Sequence, residues 1–167
     1  ALEDLEVEVV RGRVGDVNVA WLAKELDAPI GVEEVGVYII PGVGYYPDPF
    51  FATLTLLSCI TGASQIRDFF RDLPKLFLRK ERVSCPNELK GVLMEKVKES
   101  AQLIKAREIN TLDGLRFEFD DSWLLIRASG TEPAIRVIAE SISGSKAEAL
   151  VNKGTEIIRG NFKGRTT

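Results

Sequence analysis

Residues 76–83 read L-F-L-R-K-E-R-V, a mixture of apolar and charged residues that is predicted to form an antiparallel strand. Further along, apolar residues recur with helical spacing after Asn87, which is the expected N-cap of an amphipathic helix. The elements follow in the order β-α-β-β-β-α, which indicates an α+β fold with one antiparallel sheet and helices packed on one face. The predicted strands are 76–83, 115–119, 123–127 and 134–141, and the predicted helices are 87–105 and 145–158.

The first part of the chain has shorter and less regular patterns. Residues 41–49 contain three Pro and two Gly and are predicted to form a loop. Asp16 and Ser64 are the expected N-caps of two helices, and Asp72-Leu73-Pro74 is the best candidate for a linker. We therefore expect two domains, over residues 1–72 and 75–167. In the first of them the predicted strands are 6–11, 30–32 and 37–40, and the predicted helices are 17–26, 50–61 and 65–71.

Composition and charge exclude several classes of function. The chain has 167 residues, contains no His and carries a formal net charge of −3. A mildly acidic chain is not expected to coat nucleic acid or an anionic membrane by bulk charge, and without His it has no Ser/His or Cys/His catalytic pair. No apolar run approaches the length of a membrane span. Cys59 and Cys85 are far apart in the sequence, which favours reduced thiols in a cytoplasmic protein, and the single Met is in keeping with a thermophilic source.

The most informative motif reads R-A-S-G-T-E-P-A-I-R and lies between two predicted strands. Its residue types suit an oxyanion: hydroxyl groups donate hydrogen bonds, a glycine lets backbone N–H groups converge, and each arginine can offer paired N–H donors. Glu132 is the exception, and its carboxylate is expected either to orient an arginine or to bond to the backbone. A hairpin turn with solvated arginines is the alternative interpretation of so short a motif. The candidate phosphate-binding residues are Arg127, Ser129, Gly130, Thr131 and Arg136.

This motif resembles the phosphate-binding loop of the α-D-phosphohexomutases, which include phosphomannomutase/phosphoglucomutase and phosphoglucosamine mutase. In that family the loop belongs to the fourth and last domain and holds the phosphate group that is not reacting. The resemblance extends from about Val7 to Ile158. It implies that residues 75–167 form the family's C-terminal domain, with a TBP-like antiparallel sheet. It also implies that residues 1–72 are the C-terminal portion of the family's third domain, a partial α/β domain.

A second stretch, G-V-E-E-V-G-V-Y-I-I-P from Gly31 to Pro41, resembles the family's sugar-binding loop. The resemblance implies that Glu33 accepts hydrogen bonds from two adjacent sugar hydroxyl groups, a task that suits an acceptor-only carboxylate. This loop departs from the family pattern, because Val35 and Val37 stand where polar residues or glycine are usual. The loop is therefore apolar at two places where the family offers polar atoms to the sugar.

The resemblance implies an isomerase that acts as an intramolecular phosphotransferase. It would interconvert hexose 1-phosphates and 6-phosphates through a hexose 1,6-bisphosphate, with a phosphoserine and Mg²⁺ performing the transfer. The family's phosphoserine and magnesium loops are not found in this sequence, and Asp120-Asp121 forms a predicted hairpin turn and not a metal loop. We therefore expect no catalytic residue and no metal ligand here, and an inactive chain whose role is to position the substrate.

Three alternatives remain open at this point. One is a phosphoglucosamine mutase in place of a mannose or glucose enzyme. Another is a degenerate homologue that binds a phosphosugar without catalysis, which Val35 and Val37 favour. A third is an α+β module whose Arg127 and Arg136 contact nucleic-acid phosphate, which the acidic net charge disfavours. The expected partners are thus a hexose phosphate and its bisphosphate, without nucleic acid or membrane, and homodimerisation is an option for a first domain with exposed apolar surface.

Overall fold

The computed structural model describes residues 7–163. The chain divides between Pro74 and Lys75 into two compact units. Residues 7–11 form no strand, which corrects the predicted strand at 6–11; Glu6 lies outside the described residues. The valines of this segment are exposed, so the alternation there is not accompanied by a packed face.

The first unit contains three helices and one small antiparallel hairpin within the described residues. Strands β1 and β2 pair with Gly31 opposite Ile39 and Glu33 opposite Val37, as the two short predicted strands suggest. Helix α1 packs against the hairpin closely enough that a Cβ on Gly31 would lie 2.7 Å from a methyl of Val19. The elements are α1 Asp16–Glu25, β1 Gly31–Glu33, β2 Val37–Ile39, α2 Pro49–Cys59 and α3 Ala63–Asp72.

Two helix starts differ from the prediction by one or two residues. Gly15, at φ 120°, is the N-cap of α1, and Asp16 already lies in the helix. Gly62 is the N-cap of α3, so Ser64 lies inside the first turn. Gly15 directly precedes Asp16 and its positive φ favours glycine, whereas Gly62 lies two residues before Ser64 and has an extended backbone, φ 175°, that any residue can adopt. Asp48 does cap α2, because its Oδ1 accepts a hydrogen bond from the N–H of Phe51 at 2.9 Å.

Helix α2 is strongly apolar, yet none of its residues is buried. Phe50, Leu54 and Leu57 are more than half exposed. In the part of the chain that the structure describes, no single helix is long and apolar enough to cross a membrane. Helices α2 and α3 meet that requirement only as a pair, and they are bent by 98° at the break between them.

The second unit confirms the predicted α+β fold. Its five strands are all antiparallel and lie in the order β3-β7-β6-β5-β4. The predicted strand at 134–141 is confirmed to the residue, whereas β4 was not predicted at all. The elements are β3 Phe77–Ser84, α4 Asn87–Glu99, β4 Glu108–Asn110, β5 Leu115–Glu118, β6 Ser122–Ala128, β7 Ala134–Ser141 and α5 Gly144–Lys163.

Both long helices of this unit depart from their predicted lengths. The helix predicted at 87–105 has Pro86 and not Asn87 as its N-cap and ends at Glu99, after which Ala101–Ile104 forms a 3₁₀ turn. The Ser100 hydroxyl donates to the carbonyl of Lys96 at 3.1 Å, a local bond that competes with regular helix. In contrast, α5 continues beyond its predicted end at residue 158.

The turn between β5 and β6 is tied to the start of α5. Asp121 of this turn pairs with Lys146, and the Lys146 ammonium holds the pKa of the Asp121 carboxyl below its usual 3.8. The turn is thus a hairpin in which the Lys146 side chain holds the second aspartate, Asp121. This arrangement fits the predicted role of Asp120-Asp121 as a hairpin turn.

The core lies between one face of the sheet and the helices α4 and α5. Apolar residues of β5, β6 and β7 form it with Leu93, Val97 and Ile158 of the helices. Gly154 allows α5 to approach the sheet, since a Cβ there would lie 2.8 Å from a methyl of Val137. The close packing fixes which face of the sheet is covered and which face is left for polar side chains.

We predict opposite effects for two Gly→Ala changes in α5. Gly154→Ala should lower the free energy of unfolding by about 1–3 kcal/mol, because the added methyl overpacks the sheet. Gly160→Ala should raise it by roughly 0.5–1 kcal/mol, because alanine loses less backbone entropy in a helix. A Cβ on Gly160 would meet no atom within 4 Å, so it is the matched control. Urea denaturation of the two variants would contradict this packing if Gly154→Ala were as stable as Gly160→Ala.

Candidate functional site

Three arginines lie side by side on the sheet face that α4 and α5 leave uncovered. Arg136 of β7 is directly opposite Arg127 of β6 on one side and Arg82 of β3 on the other. Residues directly opposite on antiparallel strands project from the same face, so we call these three residues the arginine row. Like charges at opposed positions are destabilising unless other charges neutralise them.

Two carboxylates provide this neutralisation. Asp113 accepts a hydrogen bond from Arg127 at 2.8 Å, and the Arg127 side chain is only 13% exposed. Glu132 accepts one from Arg136 at 3.0 Å, and its other oxygen lies 3.8 Å from a guanidinium nitrogen of Arg82. Glu132 therefore orients arginines, which settles the choice that the sequence left open. The arginine row keeps one positive charge in excess of these two partners.

The segment between β6 and β7, residues 129–133, forms the β6–β7 loop beside the row. Ser129 is buried, and its hydroxyl oxygen accepts hydrogen bonds from the N–H groups of Thr131 at 3.4 Å and Glu132 at 3.2 Å. The Ser129 N–H donates to the carbonyl of Ala134 at 2.9 Å and so closes the loop at its base. The Thr131 side chain is exposed. The loop thus combines one hydroxyl that shapes the backbone with one that faces outward to solvent.

Helix α4 holds the same loop through its first turn. The Lys90 ammonium donates to the carbonyls of Ser129 at 2.6 Å and Glu132 at 2.5 Å. Nearby, the N–H of Cys85 donates to the carbonyl of Pro133 at 2.9 Å. Burial raises the pKa of the Cys85 thiol, while the positive charge of Lys90 opposes this rise. The thiol therefore stays protonated at neutral pH and packs as a small apolar group in the core.

The two glycines near the row have different roles. Gly130 has no positive φ, and a Cβ on it would meet no atom within 4 Å, so the space beside it is open. This open space is what a close approach of a ligand to the loop backbone requires. Gly114, at φ 83°, does need to be glycine, because a Cβ there would lie 2.4 Å from the carbonyl oxygen of Ile126 and 2.7 Å from the Cβ of Arg127.

Glu33 belongs to the first unit, at the end of β1. Its Oε1 accepts a hydrogen bond from the N–H of Gly15 at 3.1 Å, at the N-terminus of α1. The carboxylate is therefore fixed in direction by a backbone donor and by the positive end of the helix dipole. Val35, in the turn that follows, is 73% exposed. The turn after β1 thus presents an exposed methyl surface to solvent.

The second unit brings all five predicted phosphate-binding residues to one end of the sheet. The sequence interpretation missed three neighbours of these residues: Arg82, Asp113 and Lys90. Arg82 could have been found from the period of two along the predicted strand 76–83, which assigns it to the same face as Lys80. Asp113 and Lys90 could not, because their contacts join positions 14 to 42 residues apart. Within residues 7–163 there is no group of three or more Cys, Asp or Glu side chains arranged to hold a metal ion.

Comparisons with known proteins cover both units. Residues 82–156 match a family described as phosphoglucomutase/phosphomannomutase, C-terminal domain, and residues 1–77 match phosphoglucomutase/phosphomannomutase, alpha/beta/alpha domain III. In structure, the chain is similar to a phosphoglucomutase/phosphomannomutase family protein from Burkholderia thailandensis, with a TM-score of 0.72 and 21% identity over 90% of this chain and 32% of the other. That likeness confirms the fold.

The similar curated proteins carry a narrower name. One is a probable phosphoglucosamine mutase from Pyrococcus horikoshii, 36% identical over 97% of this chain and 36% of the relative. Another is a phosphoglucosamine mutase from Methanococcus vannielii, 33% identical over 94% of this chain and 35% of the relative. The chain thus spans about a third of the length of the curated relatives it matches.

We predict that Asp113 stabilises Arg127 in the folded unit. Asp113→Asn should lower the free energy of unfolding by about 1–2 kcal/mol, between the values for an exposed ion pair and for a hydrogen bond to a charged group. Asp120→Asn is the control, because its pair with Arg107 is longer, at 3.7 Å, and both side chains are mostly exposed. The control should change stability by at most about 0.5 kcal/mol in the same urea titration. An equal loss of unfolding free energy in the two variants would contradict a stabilising role for the Asp113–Arg127 pair.

Proposed function

Because the chain belongs to the phosphoglucomutase/phosphomannomutase family, we propose that the arginine row and the β6–β7 loop bind the phosphate group of a hexose phosphate. The observation that carries the proposal is the register that aligns Arg82, Arg136 and Arg127 on one open face beside the loop. Guanidinium groups offer paired donors that match phosphate oxygens, and a phosphate group would supply the negative charge that the two carboxylate partners of the row leave unbalanced. The residues assigned to this role are Arg127, Ser129, Gly130, Thr131 and Arg136.

The substrate class we propose is an amino sugar phosphate. The relatives from Pyrococcus horikoshii and Methanococcus vannielii carry the name phosphoglucosamine mutase, which favours isomerisation between glucosamine 6-phosphate and 1-phosphate. The second candidate is a mannose or glucose phosphate, which the family description names. Both candidates present the same phosphate group to the loop, so the choice between them lies with residues that contact the sugar.

Glu33 is our proposed contact for the sugar hydroxyl groups. Its Oε1 already accepts one backbone N–H, which fixes the carboxylate, and each carboxylate oxygen can accept a further bond. Two adjacent hydroxyl groups can therefore bind side by side without rearranging the side chain. The exposed Val35 beside it would contact the ring through its methyl groups instead of through polar atoms.

In this proposal the chain binds and orients the sugar phosphate and does not itself transfer the phosphoryl group. The phosphoserine and the Mg²⁺ ion of the family reaction would be held by sequence outside these 167 residues. This chain alone should therefore be inactive as a mutase. We place the protein in the cytoplasm, where sugar phosphates are made and where the free thiols of Cys59 and Cys85 stay reduced.

We predict that Arg127→Ala weakens binding of glucosamine 6-phosphate to this chain by about 1.5–3 kcal/mol, the scale of a hydrogen bond to a charged group. Isothermal titration measures the change, and circular dichroism checks that the variant is folded. Arg107→Ala is the control, since it removes the same charge from an exposed position whose carboxylate partner, Asp120, lies outside the arginine row. An Arg127→Ala variant that bound the sugar phosphate as tightly as Arg107→Ala would contradict the proposed site.

We also predict a preference for the amino sugar in a chain of the relatives' full length that contains these residues. With Mg²⁺ present, turnover of glucosamine 6-phosphate should exceed that of mannose and glucose phosphates. Faster turnover of the mannose or glucose substrates would instead support the second candidate. Tight binding with no turnover of any of the three would identify a phosphosugar-binding homologue without catalytic activity.

A further inference from the structure

We propose that Lys90 is a positioning residue that aims the N–H group of Gly130 at the bound phosphate. This inference rests on the proposed function, because it assigns a role towards the same ligand. The role is indirect, since the Lys90 side chain bonds to the backbone of the β6–β7 loop from α4. It makes the backbone of the loop, in addition to its arginines and hydroxyl groups, part of the phosphate site.

The first step is the direction of the loop carbonyls. The Lys90 ammonium carries three N–H donors, and two neutral carbonyl oxygens, of Ser129 and Glu132, lie within 2.6 Å of its nitrogen. The Glu132 carbonyl also accepts the N–H of Ala134 at 2.8 Å. Both ends of the loop are thereby fixed on the side that faces α4, and the positive charge of Lys90 is not cancelled by these acceptors.

The second step follows from the planarity of the peptide group. The described residues contain no cis peptide bond, so the carbonyl of Ser129 and the N–H of Gly130 point in opposite directions from one plane. Since that carbonyl points to Lys90, the N–H of Gly130 points away from α4. If the Lys90 bond were lost, this peptide plane would be free to rotate and the N–H would lose its fixed direction.

The third step concerns which N–H groups of the loop are available. Those of Thr131 and Glu132 donate to the Ser129 hydroxyl, and Pro133 has none. Among the residues that the structure describes, no acceptor is recorded for the N–H of Gly130, which is exposed and has open space around it. It is thus the loop N–H that can donate to a phosphate oxygen, and the Lys90 charge behind it would add to the attraction for an anion.

The experiment combines calorimetry with NMR on the chain. Lys90→Met removes the donors and the charge while keeping a flexible side chain of similar length. We expect it to weaken binding of glucosamine 6-phosphate on the order of tenfold. In the wild-type chain the amide proton of Gly130 should move downfield as the ligand is added, and in Lys90→Met this shift should be strongly reduced. Lys90→Arg, which keeps the charge and can donate to carbonyls, should restore most of both effects.

Lys98→Met is the matched control, because Lys98 is an exposed lysine of the same helix, about 12 Å further along its axis. It should leave the affinity and the Gly130 shift unchanged. Failure of the wild-type chain to bind the sugar phosphate would overturn the proposed function itself. If the wild-type chain bound the sugar phosphate but the NMR signal of the Gly130 amide did not shift, the role of Lys90 would be overturned and the proposed function would stand. This outcome can be read from the wild-type chain alone. Normal affinity in a folded Lys90→Met variant would overturn the role of Lys90 as well.

Discussion

The repulsion between three guanidinium groups on adjacent strands is the constraint on which this end of the second unit depends. Antiparallel pairing sets Arg82, Arg136 and Arg127 directly opposite one another, and a row of this kind is stable only when anions lie beside it. Glu132 reaches two of the arginines from the β6–β7 loop, and Asp113 reaches the third from the segment before β5. The contacts of Glu132 therefore hold the β6–β7 loop beside the row.

The packing of the opposite face makes this row possible. Side chains alternate between the two faces of a strand, so residues next to the arginines, such as Ile126 and Val137, lie in the core. A shift of the register by one residue would bury the arginines and expose the core, which would cost far more than the row itself. The close approach of α5 at Gly154 also favours this register, because it brings the helix against the apolar face of the sheet. The geometry of the site is thus a consequence of the hydrophobic core behind it.

Much of this unit could be predicted from local patterns, and the exceptions have physical reasons. Strand β7 was predicted to the residue because its ends coincide with Pro133 and with the serines and glycine of residues 141–144. Strand β4 was missed because its three residues are all exposed and show no alternation between buried and exposed positions. The N-caps of α1 and α3 were misplaced by one and two residues, because a glycine without a side chain takes each cap position and leaves no side-chain signal in the sequence.

For the candidate site, the motif identified the residues that offer donors but not the residues that hold them. The Lys90 contacts join positions 39 and 42 residues apart, and no periodic pattern in a single sequence encodes such pairs. Gly130 leaves empty space beside the loop backbone and has no positive φ, so its contribution is room for a close approach. Glu132, the one acidic residue of the motif, proved to be a partner of the arginines.

Under the proposed function, the chemistry of the loop also explains how one site could serve two substrates. A phosphate group presents equivalent oxygens, so a site that meets it with arginine and backbone donors recognises the charge and not the carbon atom that carries it. Such a site can hold either end of a hexose bisphosphate. Selectivity for the sugar must then come from groups that contact the ring, and Glu33 with its apolar neighbour Val35 is the part of this chain suited to that task. Under the same proposal, the departure of that hairpin from the family pattern would concern which sugar is bound, whereas the arginine row and the β6–β7 loop would recognise the phosphate group.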